Sequence, residues 1–480
     1  MKDRISRNFF IAIIAIFLAI FASVIIAKMA LLSLVIIPLL ALAAILFYLI
    51  LKTPELGWFL IVFFLPFERV PSYELAGVNL KINTLLGFLT LFAWVLALMF
   101  NHKKYRLEPN ILAIPLSLFV IAMLLSLSQA ENLSRAVSVF VFILFTIALS
   151  MLAVNLVNSQ ENLQKTLLIL FFSSFLVGLF GLFQFGGDVV GLPASLTLLK
   201  KGYTSLVFGF PRIQAFSMEP LYFANYLLIP LCVGLALAIA RVEVIKRFWL
   251  IALLALLLVN FILTVSRGGY FGLLVSFLIL GIFFFKKTFT WRNILIGVVT
   301  AAIVVYGVTF ALSKGEYRAT NEFLSHLKLE DITAGESIQG RLITFRHALH
   351  AYDQSPIFGL GIGNYGPWAK NYPPVRPKTG WDIVNNQYIE LLAETGLVGT
   401  ITFGLIILVL IFRTLMALKY ASDIFLKSVL IGLLAALAGV LVQYNFMSTL
   451  YIIHIWVLIG LLVAVQNIIL NSKSKVQILK

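Results

Sequence analysis

The chain has 480 residues, of which 61% are hydrophobic and only 12% are charged, whereas about a quarter of the residues in a soluble domain are charged. This composition excludes an ordinary soluble fold and predicts a protein that spans a lipid bilayer. The net charge of +16 does not indicate nucleic-acid binding, because the Lys and Arg residues lie in short links between apolar segments. A single cysteine, Cys232, excludes an intrachain disulfide framework and a Cys-based metal site.

Apolar stretches of about 20 residues, the length that crosses a bilayer, recur along the chain and predict an all-α polytopic membrane protein. The first stretch is too long, and too closely followed by the second, to be a cleaved signal peptide. We expect about 14 transmembrane helices (12–14) in a single integral membrane domain, 1–480, of which the third is short and needs extension or local bilayer thinning to cross. The predicted spans are 9–27, 29–51, 57–68, 82–100, 110–128, 136–157, 164–184, 220–240, 247–264, 268–286, 291–313, 397–415, 425–445 and 449–470.

The positions of the positive charges predict the orientation, because Lys and Arg accumulate in short cytoplasmic loops. We expect both termini in the cytoplasm of a bacterium, with the chain in the inner membrane. Two long loops, 185–219 and 314–396, then lie on the periplasmic face, and the second should be partly helical and carry the active site. Few positive charges remain in the short outer loops: Lys28, Arg69, Lys81, Arg135 and Arg267.

Arg267 lies between two apolar spans on the predicted outer face, in LTVSRGGYFG, where a positive charge opposes the orientation rule. One interpretation is an arginine at a helix end that reaches the membrane interface. The other is an anion site. Gly268 and Gly269 would then let a backbone or a ligand come close, because glycine has no side chain to block it.

Arg341 belongs to a predicted helix in the loop 314–396. Its position coincides with the apolar face, whereas Arg346 points elsewhere. An arginine on a packing face needs an anionic partner, either a phosphate group or a carboxylate such as Glu336. The residues of the apolar stripe have spacings of four, three and four: Arg341, Phe345, Ala348 and Tyr352.

Two further segments of the same loop carry polar groups or glycines. PIFGLGIGNYG, residues 356–366, has no preceding strand, so we interpret it as a structured turn rather than a nucleotide phosphate loop. Asn385 and Asn386 precede a predicted helix and suit either a helix cap or a hydroxyl-rich ligand. We include Tyr388 with them as expected substrate-binding residues.

Glu219 stands before Pro220 at the mouth of a predicted span. Its carboxylate either caps this helix, pairs with an arginine, or orients or deprotonates a sugar hydroxyl. His454, near the outer end of the last span, is interpreted as an interface or bundle residue rather than a catalytic base.

These landmarks, in this order, resemble the O-antigen polymerase and O-antigen ligase superfamily of bacterial envelope enzymes. In the ligases, the last motif begins with histidine and a small amide or hydroxyl residue, followed by nine residues and G-x-x-G; here Asn385 takes the histidine position. A neutral amide cannot act as a general base near pH 7, so we favour a polymerase over a ligase. The matching landmarks are Ser266–Arg267–Gly268, the Arg341 helix running into Pro356 and Gly359–Gly363, and Asn386 through Gly399.

The resemblance implies a metal-independent, GT-C-like glycosyltransferase without a cofactor or nucleotide sugar. It would transfer O-antigen or exopolysaccharide repeat units from undecaprenyl pyrophosphate to a sugar hydroxyl of a second lipid-linked unit. Arg267 and Arg341 would stabilise the pyrophosphate leaving group, and Glu219 would contact the acceptor hydroxyl. Other expected partners are the bilayer and a chain-length-determinant protein, with no nucleic acid.

Two alternatives stay open. An O-antigen ligase would transfer the lipid-linked glycan to lipid A core. A transporter or flippase for lipid-linked oligosaccharide would also need cations for pyrophosphate, but it should show paired repeats and charges at mid-membrane depth. The charges discussed above, Arg267 and Arg341, are predicted at the outer face of the membrane rather than at mid-membrane depth, which disfavours transport.

Overall fold

A computed structural model describes residues 30–69, 72–75, 78–101, 104–285, 306–307, 309–310, 336–371 and 382–478. The predicted span 9–27 lies outside these residues, as does most of the span 291–313. Of the predicted loop 314–396, the described parts are helical over much of their length.

The helices and strands follow in chain order. They are α1 (Ala30–Lys52), α2 (Pro54–Phe64), β1 (Ser72–Leu75), β2 (Val78–Lys81), α3 (Ile82–Phe100), α4 (Ala113–Ser126), α5 (Leu133–Leu156), α6 (Gln160–Val189), α7 (Ala194–Thr197), α8 (Ser205–Phe208), α9 (Pro220–Ala240), α10 (Arg247–Leu263), α11 (Arg267–Phe283), α12 (Glu336–Gln354), α13 (Tyr365–Asn371), α14 (Gln387–Tyr420), α15 (Ile424–Gln443) and α16 (Ile453–Ile478). Strands β1 and β2 form an antiparallel hairpin.

Within the described residues, seven helices are long and apolar enough to cross a membrane: α3, α5, α6, α9, α14, α15 and the part Ile453–Asn471 of α16. The chain is therefore a multi-pass helical membrane protein. Three shorter apolar helices accompany them: Ala113–Gln129, α10 and α11. The number of about fourteen crossings stays a prediction.

The predicted second and third spans correspond to α1 and α2, which are bent by 119° at the break between Ala41–Lys52 and Pro54–Phe64. Proline disfavours helical geometry in the residue before it, so the helix breaks at Thr53. This pair is either one broken span or a re-entrant loop. The predicted span 57–68 is thus realised as a helix of 11 residues, Pro54–Phe64.

The described chain divides into two compact units. The smaller contains the described residues of 30–57 and 89–105, and in it Tyr105 Oη donates to Glu55 Oε2 at 2.7 Å. The larger contains those of 58–88 and of 106 onward, and it holds every candidate site residue. The expected single domain over 1–480 stays a prediction.

Helix α15 is the centre of the larger unit and packs against α9, α11, α14 and α16. Small residues allow this close approach, as in other membrane helix pairs. A Cβ added at Gly272 of α11 would lie 2.7 Å from the carbonyl oxygen of Gly439 in α15. Nearby, Ser276 Oγ donates to the carbonyl oxygen of Ala435 at 2.8 Å. These contacts join α11, which begins at Arg267, to the buried core.

The segments that carry the candidate site meet at one end of the larger unit, here named the loop end. The Arg69 N–H donates to the Phe216 carbonyl oxygen at 2.9 Å, and the Gln387 N–H donates to that of Tyr444 at 2.7 Å. Sequence-distant loops are therefore held together by backbone hydrogen bonds. The loop end comprises 65–69, 190–219, 264–270, 356–371, 382–396 and 444–454.

A small hydrophobic cluster at the loop end packs α12 and α13 against the start of α14. Phe345 and Ile389 pack against it from the side. Because this cluster joins two helices of the predicted loop 314–396, it fixes the direction in which α12 presents its side chains. Its buried members are Ala348, Ala351, Leu360, Tyr365, Trp368, Ala369, Val384 and Ala393.

Candidate functional site

The glycine-rich segment 356–366 forms a turn that packs against a break in α14. Gly359 has φ +71, and a Cβ there would lie 2.3 Å from the backbone carbon of Glu394. Gly396, where α14 breaks, has φ +62 and is equally close to a carbonyl oxygen of the turn. The Gly361 N–H donates to the Glu394 carbonyl oxygen at 2.9 Å. The prediction of a structured turn is confirmed.

The Glu394 side chain also binds this turn. Its two carboxylate oxygens accept the N–H groups of Gly363, at 2.7 Å, and Tyr365, at 3.0 Å. Glu390, one helical turn earlier, is buried as well, and Arg135 lies within electrostatic range of both carboxylates. The hydrogen bonds from the Gly363 and Tyr365 N–H groups to the Glu394 carboxylate are here named the Glu394 clamp. Our sequence reasoning missed this clamp. The available signal was two carboxylates four residues apart in an otherwise apolar helix.

Asn386 caps α14, because its Oδ1 accepts the N–H groups of Tyr388 and Ile389 at 3.1 Å each. Asn385 adopts left-handed geometry, with φ +59, which asparagine tolerates better than most residues. The Tyr388 hydroxyl donates to the Leu441 carbonyl oxygen at 2.7 Å. The cap interpretation thus accounts for Asn386, whereas substrate binding by these residues stays a prediction.

Arg341 and Arg346 occupy different faces of α12, as the spacing predicts. Arg341 is partly buried and Arg346 is exposed, while Ala348 lies in the hydrophobic cluster. Burial lowers the pKa of Arg341, and the neighbouring charge that opposes this effect is the Glu219 carboxylate. The alternative partner, the Glu336 side chain, lies outside the described side chains.

Glu219 occupies the N-cap position of α9, but its side chain makes no capping hydrogen bond. The helix-cap interpretation is therefore wrong. The carboxylate is exposed and lies within electrostatic range of three cations, Lys200, Arg212 and Arg341. Glu219 is thus the shared neighbour of side chains from two separate loops.

Arg267 begins α11, where the Ser266 side chain caps the helix by accepting the Gly269 N–H at 3.4 Å. The two glycines pack against protein rather than leaving space for a ligand. A Cβ at Gly268 would lie 2.7 Å from the Phe446 side chain, and one at Gly269 would lie 3.1 Å from a neighbouring methyl group. Of the two expectations, that a backbone or a ligand comes close to these glycines, the contacts favour close packing of the protein.

Arg212 is the arginine that our sequence reasoning missed. It contacts Tyr203, since its guanidinium lies 5.8 Å from the ring centroid and the backbone N–H of Arg212 donates to the Tyr203 carbonyl oxygen at 2.9 Å. Burial lowers the pKa of Arg212 and raises that of Tyr203 to about 12. The positive charge of Arg267 also lowers the pKa of Arg212, while Glu219 raises it. The two arginines therefore repel each other.

We name Arg212, Arg267, Arg341 and Glu219 the arginine cluster. Its three guanidinium groups exceed its one carboxylate in charge, and Lys200 adds a further cation, whose pKa burial also lowers. A guanidinium fork matches the geometry of phosphate and carboxylate oxygens. The cluster therefore brings together side chains of the type that bind a strongly negative group.

Residues 252–404 match the protein family described as O-antigen ligase. The match confirms the resemblance to the O-antigen polymerase and ligase superfamily, and it contains Arg267, Arg341 and Asn385. Arg212 and Glu219 precede the matched residues. They join the family region through the folding of the first long loop.

A Haemophilus influenzae protein described as uncharacterized is similar to part of this chain. The two sequences are 31% identical over 159 residues. The similarity covers 31% of this chain and 38% of that protein. It therefore spans well under half of either sequence.

Proposed function

We propose that this protein is a glycosyltransferase that polymerises undecaprenyl-pyrophosphate-linked oligosaccharide repeat units at the outer face of the bacterial inner membrane. The observation that carries the proposal is the arginine cluster, in which Arg212 and Arg341 lie within electrostatic range of the exposed Glu219 carboxylate and Arg212 also lies within range of Arg267. The family match supports a glycosyl-transferring enzyme of the ligase or polymerase type.

In the proposed reaction, an acceptor hydroxyl oxygen bonds to the anomeric carbon of the donor sugar while the bond from that carbon to pyrophosphate breaks. The electron pair leaves with the pyrophosphate, which gains negative charge. Arg212, Arg267 and Arg341 would stabilise this charge, because fixed cations need little reorganisation in the transition state. The fork of a guanidinium also fits two phosphate oxygens at once.

The repulsion between Arg212 and Arg267 adds to this preference. A pyrophosphate bound between the two guanidinium groups would offset the repulsion between them. Glu219 lies within electrostatic range of Arg212 and would hold the acceptor hydroxyl by accepting its hydrogen bond. Donor and acceptor would thus meet at one cluster.

Asn385 supports a polymerase over a ligase. It holds the position of the ligase histidine, and its amide cannot take up a proton near pH 7. Its left-handed backbone also begins a tightly bonded cap, in which Asn386 is engaged by two N–H groups. A ligase reaction would therefore need its general base elsewhere.

Purified protein in lipid nanodiscs, supplied with lipid-linked repeat units, tests the proposal. We expect a ladder of longer lipid-linked glycans from repeat units alone. A parallel reaction contains lipid A core as acceptor. Product that forms only with the core would identify a ligase, and movement of intact repeat units across the membrane without lengthening would identify a transporter.

A further inference from the structure

The first long loop carries apolar side chains at its surface that the arginine cluster does not use. Four of them are large and exposed, and Leu206, at 95%, is the most exposed of the four. Large apolar side chains that group at a protein surface mark contact with another molecule or with a membrane. We name these side chains the apolar patch: Val190, Leu196, Leu206 and Val207.

The length of α6 gives the level of the patch in the membrane. Lys165 and Asp188 bound the uncharged stretch of this helix, and a rise of about 1.5 Å per residue separates them by about 35 Å along its axis. The hydrocarbon core of a bilayer is about 30 Å thick. When Lys165 lies among the headgroups of one leaflet, Asp188 therefore lies among those of the other, and Val190 follows at the same level.

Side chains of α6 hold the loop at this level. The Asp188 carboxylate accepts the Ser205 N–H at 2.7 Å, which fixes the start of α8. One helical turn deeper, Gln184 Nε2 donates to the Thr197 carbonyl oxygen at 3.0 Å, while its Oε1 accepts two backbone N–H groups of the segment before α9, at 3.0 and 2.9 Å. The short helices α7 and α8 thus pack on the end of α6 and do not extend away from the membrane.

The patch also continues the lipid-facing side of α6. Exposed apolar side chains recur along this helix at spacings of four, three and four residues, which place them on one face. Val190 has the spacing of the same stripe, so the lipid-facing surface extends into the loop. The exposed members of the stripe are Phe172, Leu176, Leu179 and Phe183.

Charge and backbone geometry suit the headgroup layer rather than the hydrocarbon. Lys201, between α7 and α8, is exposed, and a lysine near the membrane surface attracts anionic headgroups. Both helices have only four residues, so most of their backbone groups lack partners within the helix. Such backbone is not stable in hydrocarbon, where water cannot bond to it.

We propose that α7 and α8 lie in the headgroup layer of the outer leaflet, with the apolar patch against the upper part of the lipid chains and Lys201 among anionic headgroups. Segments of this kind enter about 5–10 Å into the boundary between headgroups and chains. Water-soluble reagents still reach this boundary from the outer side.

Contact with the bilayer has a consequence for Arg212. Its backbone N–H donates to the Tyr203 carbonyl oxygen at 2.9 Å, which ties Arg212 to the segment that contains α8. The pyrophosphate of the proposed donor is bonded directly to its lipid, so it too lies at the headgroup level. The anchored segment would therefore hold Arg212 at the level of the leaving group. This consequence rests on the proposed function, whereas the membrane contact does not.

Spin labels on single cysteines measure the depth of the patch, in purified protein in nanodiscs of phosphatidylethanolamine and phosphatidylglycerol. Cys232 is buried and should stay unlabelled. Labels at Leu196→Cys and Leu206→Cys should collide with oxygen, which concentrates in lipid, and with a nickel chelate, which stays in water, in a ratio between those of two controls. The controls are Phe172→Cys, on the lipid-facing side of α6, and Ser422→Cys, in the exposed loop between α14 and α15.

Two results would overturn the proposal. A ratio equal to that of the Ser422→Cys label would place the patch in water, and infrequent collisions with both oxygen and nickel would indicate that protein, not lipid, covers it. The labels occupy exposed positions, so they should not disturb folding.

A matched pair of variants tests the consequence for Arg212. Leu206→Asp should shift the Leu196→Cys label towards nickel and lengthen glycan more slowly than Leu206→Phe, which keeps an apolar side chain in the lipid. Equal lengthening rates despite a shifted label would overturn the role in holding Arg212. If the unaltered protein lengthens no glycan, the proposed function fails, while the depth of the labels still decides the membrane contact.

Discussion

Replacing Arg341 with alanine should remove a charge-assisted contact that strengthens as pyrophosphate leaves. By analogy with an oxyanion-hole donor, the loss should cost about 3–4 kcal/mol, or about 10²–10³-fold in kcat. Arg346→Ala is the matched control on the same helix, since Arg346 is exposed on another face. We expect that control to cost less than about 1 kcal/mol, as for other exposed charges.

Arg267→Ala should lower kcat to a similar degree, and lysine at either position should restore part of the rate, because it keeps the charge and loses the fork. Arg212→Ala tests the electrostatic argument more directly. Since Arg212 and Arg267 repel each other, their double alanine variant should lose less than the sum of the single losses.

The assay for these variants is the initial rate of lengthening of lipid-linked repeat units, at saturating substrate and matched amounts of folded protein. Equal damage from Arg346→Ala and Arg341→Ala would refute the assignment of faces on α12. Full activity in both Arg267→Ala and Arg341→Ala would refute the arginine cluster as the site of the leaving group.

Three further predictions concern the surroundings of the cluster. Glu394→Gln should lower the free energy of unfolding by about 1–3 kcal/mol, because a neutral amide cannot accept both N–H bonds of the glycine turn as well as a carboxylate does; thermal unfolding measures this. Asn385→Ala should reduce the lengthening rate less than the roughly 10²-fold minimum expected for losing a general base. Leu206→Cys should react with an impermeant thiol reagent in intact cells and Lys419→Cys only after permeabilisation, against a silent background, since Cys232 is buried. Opposite labelling would place the first long loop inside the cell.

Local patterns in the sequence predicted the features that depend on neighbouring residues. Helical spacing separated the faces of Arg341 and Arg346, and the glycines of 356–366 predicted a turn, because positive φ at such positions is a local requirement. The apolar stretches predicted membrane helices for the same reason. The bend between α1 and α2 is an exception, because it was not predicted although it follows from a local signal. Pro54 indicates a helix break in the sequence, but the two segments were predicted as separate spans.

Features that depend on distant residues were not accessible to the same reasoning. Nothing near Arg212 in the sequence indicates that it lies beside Arg267, because this proximity arises only when the first long loop folds onto the start of α11. The contacts of the glycines next to Arg267 were inaccessible for the same reason. The space beside Gly268 is filled by Phe446 and that beside Gly269 by Ala224, two residues distant in the sequence whose positions one sequence does not reveal.

The arginine cluster is therefore assembled by loop packing rather than by one rigid element. Arg341 belongs to α12, which is held against the start of α14 by the hydrophobic cluster, while the Glu394 carboxylate binds the turn that follows α12. Arg267 is instead fixed to the buried core through α11 and α15. Loss of the Glu394 clamp should consequently displace Arg341 relative to Arg267 and reduce turnover without removing any charge from the cluster.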